Sequence, residues 1–209
     1  MKKFVQLLVL AGAFFGAAAQ AAVTPYFTFA SFSAAVTGAV ENSFEGIADP
    51  GGSYPYHASA LTLSGVSFAA NGSGFVIDGI VNPFPGNPSY FSAQTGTPIN
   101  SLTVTPVGSE SAMGFYYGMY NPPVDSNLSL VVNGGSPIGL TIDSANTTKF
   151  VGITSTSPIT SLVFTNANNS DTIELTKFVI ATAIPEPSIP ALFVIGLALI
   201  GTIVRRKSR

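Results

Sequence analysis

His57, in the stretch GGSYPYHAS, is the single histidine of the 209-residue chain, and its solitude limits the chemistry it could support. A zinc protease site takes two or three imidazoles. A Ser-His-Asp triad of the hydrolase type announces itself as G-x-S-x-G, and no such motif occurs. His57 therefore reads as a loop-surface residue. Cysteine is absent, which removes disulfides, thiolate-bound zinc, a thiol nucleophile and a lipidated N-terminal cysteine. Carboxylates remain. Glu41, Glu45, Asp49 and Asp78 lie near one another in sequence, and a glycosidase needs two carboxyl groups facing across a cleft. Their spacing specifies no pair, so they read as solvated loop side chains. No Gly-rich phosphate loop stands between a strand and a helix. No catalytic residue is expected, and a secreted polysaccharide hydrolase is kept as the alternative class.

Aromatic side chains are the other chemistry on offer. Tyr54, Tyr56, Phe84, Tyr90 and Phe91 sit in Pro/Gly-rich sequence, while Phe115, Tyr116, Tyr117 and Tyr120 crowd one candidate strand. Rings on a rim could stack on sugars; with no tryptophan in the chain, core packing is the expected role of most of them.

The elements that would position these groups are strands. Short β-branched and aromatic runs alternate with Gly, Ser, Thr, Asn and Pro from Ala22 to Ala183. In LTLSGVSFAA (61–70), Leu61 and Leu63 and then Val66 and Phe68 mark one face, with a phase slip at Ser64-Gly65 that reads as a bulge. Further strands are expected in GFVID (74–78), INSLTVTP (99–106), SAMGFYYGMY (111–120), LSLVVN (128–133), IGLTID (138–143), KFVGITS (149–155), ITSLVFTN (159–166) and DTIELTKFVIA (171–181). Asn133-Gly134 is a hairpin signal, because both residues tolerate positive φ. Phe29, Phe32 and Val36 recur at helical spacing, with Gly38 as a stop. The expected fold is mainly β: an antiparallel sandwich or jelly-roll-like domain over residues 22–183, with a short N-terminal helix. No fixed-period repeat argues for a propeller or solenoid.

Charge narrows the partners. Between Ala22 and Glu186 the cations are Lys149 and Lys177, against all ten carboxylates of the chain, which leaves about −8 on that stretch. Such a surface repels phosphate, so a nucleic-acid partner is excluded.

The two ends read as targeting segments. Lys2 and Lys3, the apolar run from Phe4 to Ala19, and Ala19-Gln20-Ala21 fit a signal peptide over residues 1–21, cleaved after Ala21. Residues 184–209 begin with Pro185-Glu186-Pro187, continue as an uncharged run from Ile189 to Val204, and end in Arg205, Arg206, Lys207 and Arg209. The run spans ~24 Å as a helix, short of a hydrocarbon core of about 30 Å but within reach of bilayer thinning and snorkelling. The basic cluster places the C-terminus in the cytoplasm. Pro185-Glu186-Pro187 cannot enter that helix and stands as an extended tripeptide at the outer boundary.

In this tail the chain resembles bacterial PEP-CTERM proteins: Pro185-Glu186-Pro187, Gly196-Leu197 and Arg205-Arg206-Lys207 match the parts of that sorting signal in order. The resemblance implies a transient anchor that an exosortase-type transpeptidase recognises and cuts. It also implies a protein held by one span in the inner membrane before processing, and at the cell surface or in the extracellular matrix afterwards. NSFEGIA, GVSFAANG, FVGITSTSPITSLVFTN and IELTKFVI resemble, more loosely, the exported domains of such proteins. Glu45 and Glu174 resemble positions where some jelly-roll carbohydrate-binding modules hold a structural calcium, although an Asp usual near the second position is missing. No other cofactor is expected. The expectation is a non-catalytic, carbohydrate-binding or structural envelope protein, with exopolysaccharide as its candidate ligand.

Overall fold

A computed structural model describes residues 22–44, 56–57, 60–70, 75–78, 90–92, 94–95, 97–98, 101–119, 128–142, 148–166 and 173–185. The expected signal peptide and all of the tail beyond Pro185 lie outside these residues. Among the described residues no helix is long and apolar enough to cross a membrane.

In chain order, strand β1 (Val23–Tyr26) is followed by helix α1 (Phe29–Ala34) and β2 (Val36–Ser43). Then come β3 (Tyr56–His57), β4 (Leu61–Leu63), β5 (Val66–Ala70), β6 (Phe75–Asp78), β7 (Tyr90–Ser92), β8 (Gln94–Thr95) and β9 (Thr97–Pro98). The second half holds β10 (Ser101–Pro106), β11 (Ala112–Met119), β12 (Leu128–Val132), β13 (Ile138–Leu140), β14 (Lys149–Ser155), β15 (Leu162–Asn166) and β16 (Ile173–Ala183). The first sheet runs β1-β14-β11-β16-β7-β6-β3, with β2 also paired to β16; the second runs β13-β12-β15-β10-β5-β4. Among the described residues every pairing is antiparallel. The two sheets stack as a β-sandwich, as the sequence pattern predicts.

The core lies between the sheets and is largely aromatic. Phe115 of the first sheet meets Phe164 of the second edge-on at 5.2 Å, and Phe178 meets Phe68 at the same separation. Phe44 closes that group, 5.4 Å from Phe68. Such pairs add about 0.5–1.5 kcal/mol each to the area they bury. In the second sheet β12 and β15 alternate buried and half-buried residues, as strands with one core face should. β14 and β16 instead bury nearly every residue, because α1, through Phe32, covers part of the first sheet's outer face. That is why KFVGITS and IELTKFVIA carry no clean alternation.

Three local features correct or complete the sequence reading. Ser64 and Gly65 both have positive φ, 48° and 76°, and Leu63 pairs with Val66. The expected bulge is therefore a two-residue hairpin turn of the I′ type, whose twist matches the flanking strands. Helix α1 ends at the Ala35 cap, before Gly38 is reached. Gly38, at φ 64°, instead sits where the register between β2 and β16 shifts, the position a glycine takes in a G1 bulge. Asn133-Gly134 does form a turn, with φ 50° and 70° and Gly135 N donating to Val132 O at 2.8 Å. Asn133 does more than turn the chain. Its Oδ1 accepts from Thr160 N, Thr160 Oγ1 and Ser161 N at 2.8, 3.1 and 3.1 Å, and its Nδ2 donates to Pro158 O at 3.0 Å. One side chain thereby fixes the 156–161 crossover between the sheets.

Both ends of the described domain meet at one end of the sandwich, here called the floor. Ala22 N donates to Thr156 Oγ1 at 3.0 Å, and Thr156 N returns a bond to Ala22 O at 3.1 Å. Ala183 N donates to Ser111 Oγ at 2.9 Å and Ile184 N to Ala35 O at 3.0 Å. The turn at 64–65, the 107–111 crossover, the Asn133 turn and the 156–161 crossover complete the floor.

Candidate functional site: the outer aromatic face

A flat sheet face becomes a binding surface when large side chains stand on it and small ones make room. Gly114 of β11 and Gly152 of β14 are directly opposite in register, and neither carries a Cβ to hold the helix away. A Cβ on Gly114 would lie 2.7 Å from Phe150 Cζ, and one on Gly152 would lie 2.5 Å from Phe32 Cγ and 2.8 Å from Phe32 Cβ. The two glycines form a socket for Phe32, which is fully buried. Helix α1 is too short to persist unaided. Its start is fixed by Thr28, whose Oγ1 accepts from Ser31 N at 3.2 Å, the bonding an N-cap supplies.

With Phe32 seated, the neighbouring rings assemble around it. Phe150 lies 5.6 Å from Phe32, 5.6 Å from Phe29 and 5.0 Å from Tyr116. Phe29 lies 6.2 Å from Tyr116 and Tyr26 lies 6.1 Å from Phe32. The cluster is not closed over: Phe29 is 38% exposed, and Phe27, on the other side of Thr28, is 54% exposed. Polar groups stand at its edge. Lys177, opposite Tyr116 in register, places its Nζ 2.8 Å from Glu41 Oε1. The Tyr116 phenol donates to Glu41, and its pKa is raised above the ordinary tyrosine value, first by burial and then by the Glu41 charge, with Lys177 opposing. The face thus offers apolar rings beside a phenol, an ammonium and a carboxylate, a combination that can stack on a sugar ring and bond its hydroxyls.

The expected site residues fall as follows. Glu41 is a half-exposed member of this face. Phe115 and Tyr117 are core residues, as expected of most of the strand's rings, whereas Tyr116 alternates to the outer face. His57 lies on β3, paired with Phe75, and Asp78 on β6, paired with Tyr90. Glu45, Asp49, Tyr54, Phe84, Tyr120, Ala21, Glu186, Pro187, Arg205, Arg206, Lys207 and Arg209 lie outside the described residues; Pro185 is exposed. Glu174 is 1% exposed on central strand β16, flanked by Gly118 and Ser92. Among the described residues no three acidic or imidazole groups converge, so Glu174 there has no companion set of carboxylates of the kind calcium favours.

A second concavity, an open cleft of about 380 Å³, lies between β2, the end of β16 and the floor segments 64–65 and 107–111, lined by Val40, Asn42, Ser64, Ser109, Glu110 and Ile180 among others. Its carboxylate, Glu110, has one oxygen buried without a hydrogen bond. Asn42 lines this cleft, while its neighbour Glu41 alternates to the outer face with Lys177. Among the described residues no two carboxylates therefore face each other across it. Sequence reasoning missed Phe29, Phe150 and Lys177 as members of one face, since only the register of β11, β14 and β16 brings them together.

No protein-family model matches the chain, and no curated protein matches it either. Among solved structures, a family two carbohydrate esterase from Cellvibrio japonicus aligns at 10% identity over 80% of this chain and 37% of its own, with a TM-score of 0.31. An exo-beta-1,3-galactanase from Phanerochaete chrysosporium aligns at 16% identity over 68% of this chain and 29% of its own, TM-score 0.26. CBM35 from Cellvibrio japonicus Abf62 aligns at 12% identity over 70% of this chain and 94% of its own, TM-score 0.29. The chain spans about a third of the esterase and galactanase lengths.

Proposed function

We propose that this chain is an exported, non-catalytic protein of the cell surface or extracellular matrix. In this reading its β-sandwich binds polysaccharide through the outer aromatic face, and its C-terminal tail is a sorting signal. The observation that carries the binding part is the exposure of Phe29 beside the bonded trio Tyr116, Glu41 and Lys177. An exposed ring on a helix held in place by a buried anchor, Phe29 on α1, is pre-organised, which lowers the ordering cost of binding. The face is shallow and holds no indole, so affinity is weak for one module and grows when many copies engage one polymer.

Affinity electrophoresis of the domain in gels containing soluble polysaccharides tests this. Retardation by at least one polymer is expected, and Phe29→Ala should weaken it about tenfold, the equivalent of ~1.4 kcal/mol, while the domain, its melting temperature lowered by several degrees through the lost ring contacts, remains folded at the temperature of the assay. Retardation unaffected by Phe29→Ala would place binding elsewhere. Polysaccharide turnover that disappears in Glu41→Gln would replace the binding reading with a hydrolase.

The sorting part rests on the tail resemblance. In a host that contains the processing enzyme, wild type should lose the tail and reach the surface or matrix. Glu186→Ala should insert normally, because the apolar run and Arg205, Arg206, Lys207 and Arg209 are untouched, yet stay in the membrane. Intact Arg209 termini in both proteins would make the tail an ordinary anchor.

A further inference from the structure

We infer that the floor of the sandwich is held against the bilayer surface while the tail is membrane-bound, leaving the aromatic face to look sideways along the membrane. The inference deepens the tail reading above and rests on it. Its own support is geometric. Strand β16 is fixed to its last residue, and Ile184 is tied to Ala35, so the tether to the apolar run begins at the floor itself. From Ile184 to Ile189 the chain has five residues to extend, at most ~17 Å. A domain of this size has a radius of gyration of about 15 Å, or roughly 20 Å as a sphere. The tether is shorter than the radius, so the far end of the domain cannot reach the bilayer, and the floor is the end from which the tether starts.

The composition of the floor agrees with that placement. Ala22, the 64–65 turn, 107–111, 133–135, 156–161 and 183–185 contain no Lys or Arg and a single carboxylate, Glu110. A surface with so little charge approaches an anionic lipid face without the repulsion that the rest of the domain would meet. Two exposed apolar side chains also stand there: Val107, 70% exposed, and Ile184, 46% exposed. Ala22, where the expected signal peptide would join, lies on the same floor. It is separated from the end of β16 by the breadth of β14 and β11, three strand spacings or about 14 Å. Both expected membrane segments therefore leave the domain in one direction, and the domain need not turn over when the first is removed.

The chain has no cysteine, so single-cysteine labelling is unambiguous. In the full chain reconstituted into vesicles containing spin-labelled lipid, a fluorophore at Val107→Cys on the floor should be quenched several-fold more than one at Thr141→Cys. Thr141 is exposed at the opposite end, beyond the pairing of Leu140 with Leu128. A 24-residue Gly/Ser spacer placed between Ser188 and Ile189 adds a root-mean-square reach of ~27 Å and should bring the two signals together. Equal quenching at the two sites without the spacer, or Val107 quenching that survives it, overturns the inference. Alkaline carbonate extraction separates this from the parent reading. If the chain is extracted from the vesicles, the membrane helix is wrong and the inference falls with it; if the chain stays embedded with equal quenching, only the orientation is wrong.

Discussion

Gly152→Ala places a single methyl group under helix α1, and the structure sets its cost. The new Cβ would lie 2.5 Å from Phe32 Cγ and 2.8 Å from Phe32 Cβ. Rotating the Phe32 ring relieves the first contact but not the second, because Phe32 Cβ moves only with the helix backbone. Helix α1 must lift, and the rings packed on Phe150 lose contact with it. Overpacking of this kind costs about 1–3 kcal/mol. Replacing glycine also restricts the unfolded chain, which returns roughly 0.4–1 kcal/mol. The net expectation is a loss of about 1–2 kcal/mol, or ~2–8 °C in melting temperature for a domain of this length. Calorimetry on the soluble domain reads it directly. The decisive comparison is the same substitution in a Phe32→Ala background. There the methyl finds space and should be neutral or slightly stabilising, giving a coupling of about 1 kcal/mol or more between the two sites. Equal cost in both backgrounds, or a stabilised Gly152→Ala single variant, would mean that Phe32 does not rest on Gly152 and would remove the support for the aromatic face.

Asn133→Gly keeps the positive φ but deletes the side-chain bonds to Pro158, Thr160 and Ser161; urea titration should show a loss of about 1–3 kcal/mol, with Asn133→Ala worse by roughly another 1 kcal/mol because alanine resists that backbone. Tyr116 has its folded pKa raised by burial and by Glu41, so the folded phenol keeps its proton where the unfolded one, near pH 10, has lost it. Its contribution is complete below about pH 10 and is lost as pH rises through the folded value. Denaturation midpoints between pH 8 and 11.5 should therefore decline less steeply in Tyr116→Phe than in wild type, and parallel curves would contradict the assignment. A fragment of residues 22–185 should give a strand-dominated circular dichroism spectrum and one cooperative melt; a predominantly helical spectrum would overturn the boundaries.

Much of the sandwich was legible because alternation is a local property. β10, β12 and β15 each show their core face in sequence, and Asn133-Gly134 announces its turn through residues that tolerate positive φ. Ser64-Gly65 was ambiguous: a three-residue step from Leu63 to Val66 fits either a bulge or a two-residue hairpin, and only the pairing of β4 with β5 decides. Val36 continued the spacing of Phe29 and Phe32 for a different reason. It joins the same apolar cluster from a strand that starts after the helix has ended. β1 and β2 lacked any run long enough to stand out, since Pro25 interrupts one and Gly38 the other. The binding face was the least legible part. Gly114 and Gly152 lie far apart in the chain and acquire their purpose only when β11 and β14 align. Tyr116 stands between two core residues, and sequence does not show whether its side of the strand is covered.

Strand β16 has a mechanical consequence. It lies inside the first sheet, bonded along one flank to β11 and along the other to β2 and β7, and its last residue leads directly to the tail. A pull on the end of this strand along its own axis would load the hydrogen bonds on both flanks at once. Hydrogen bonds loaded in that direction share the force and yield together, whereas those of a peeled edge strand fail one by one. Tension applied at the end of β16 would thus meet the sheet in shear rather than peel it.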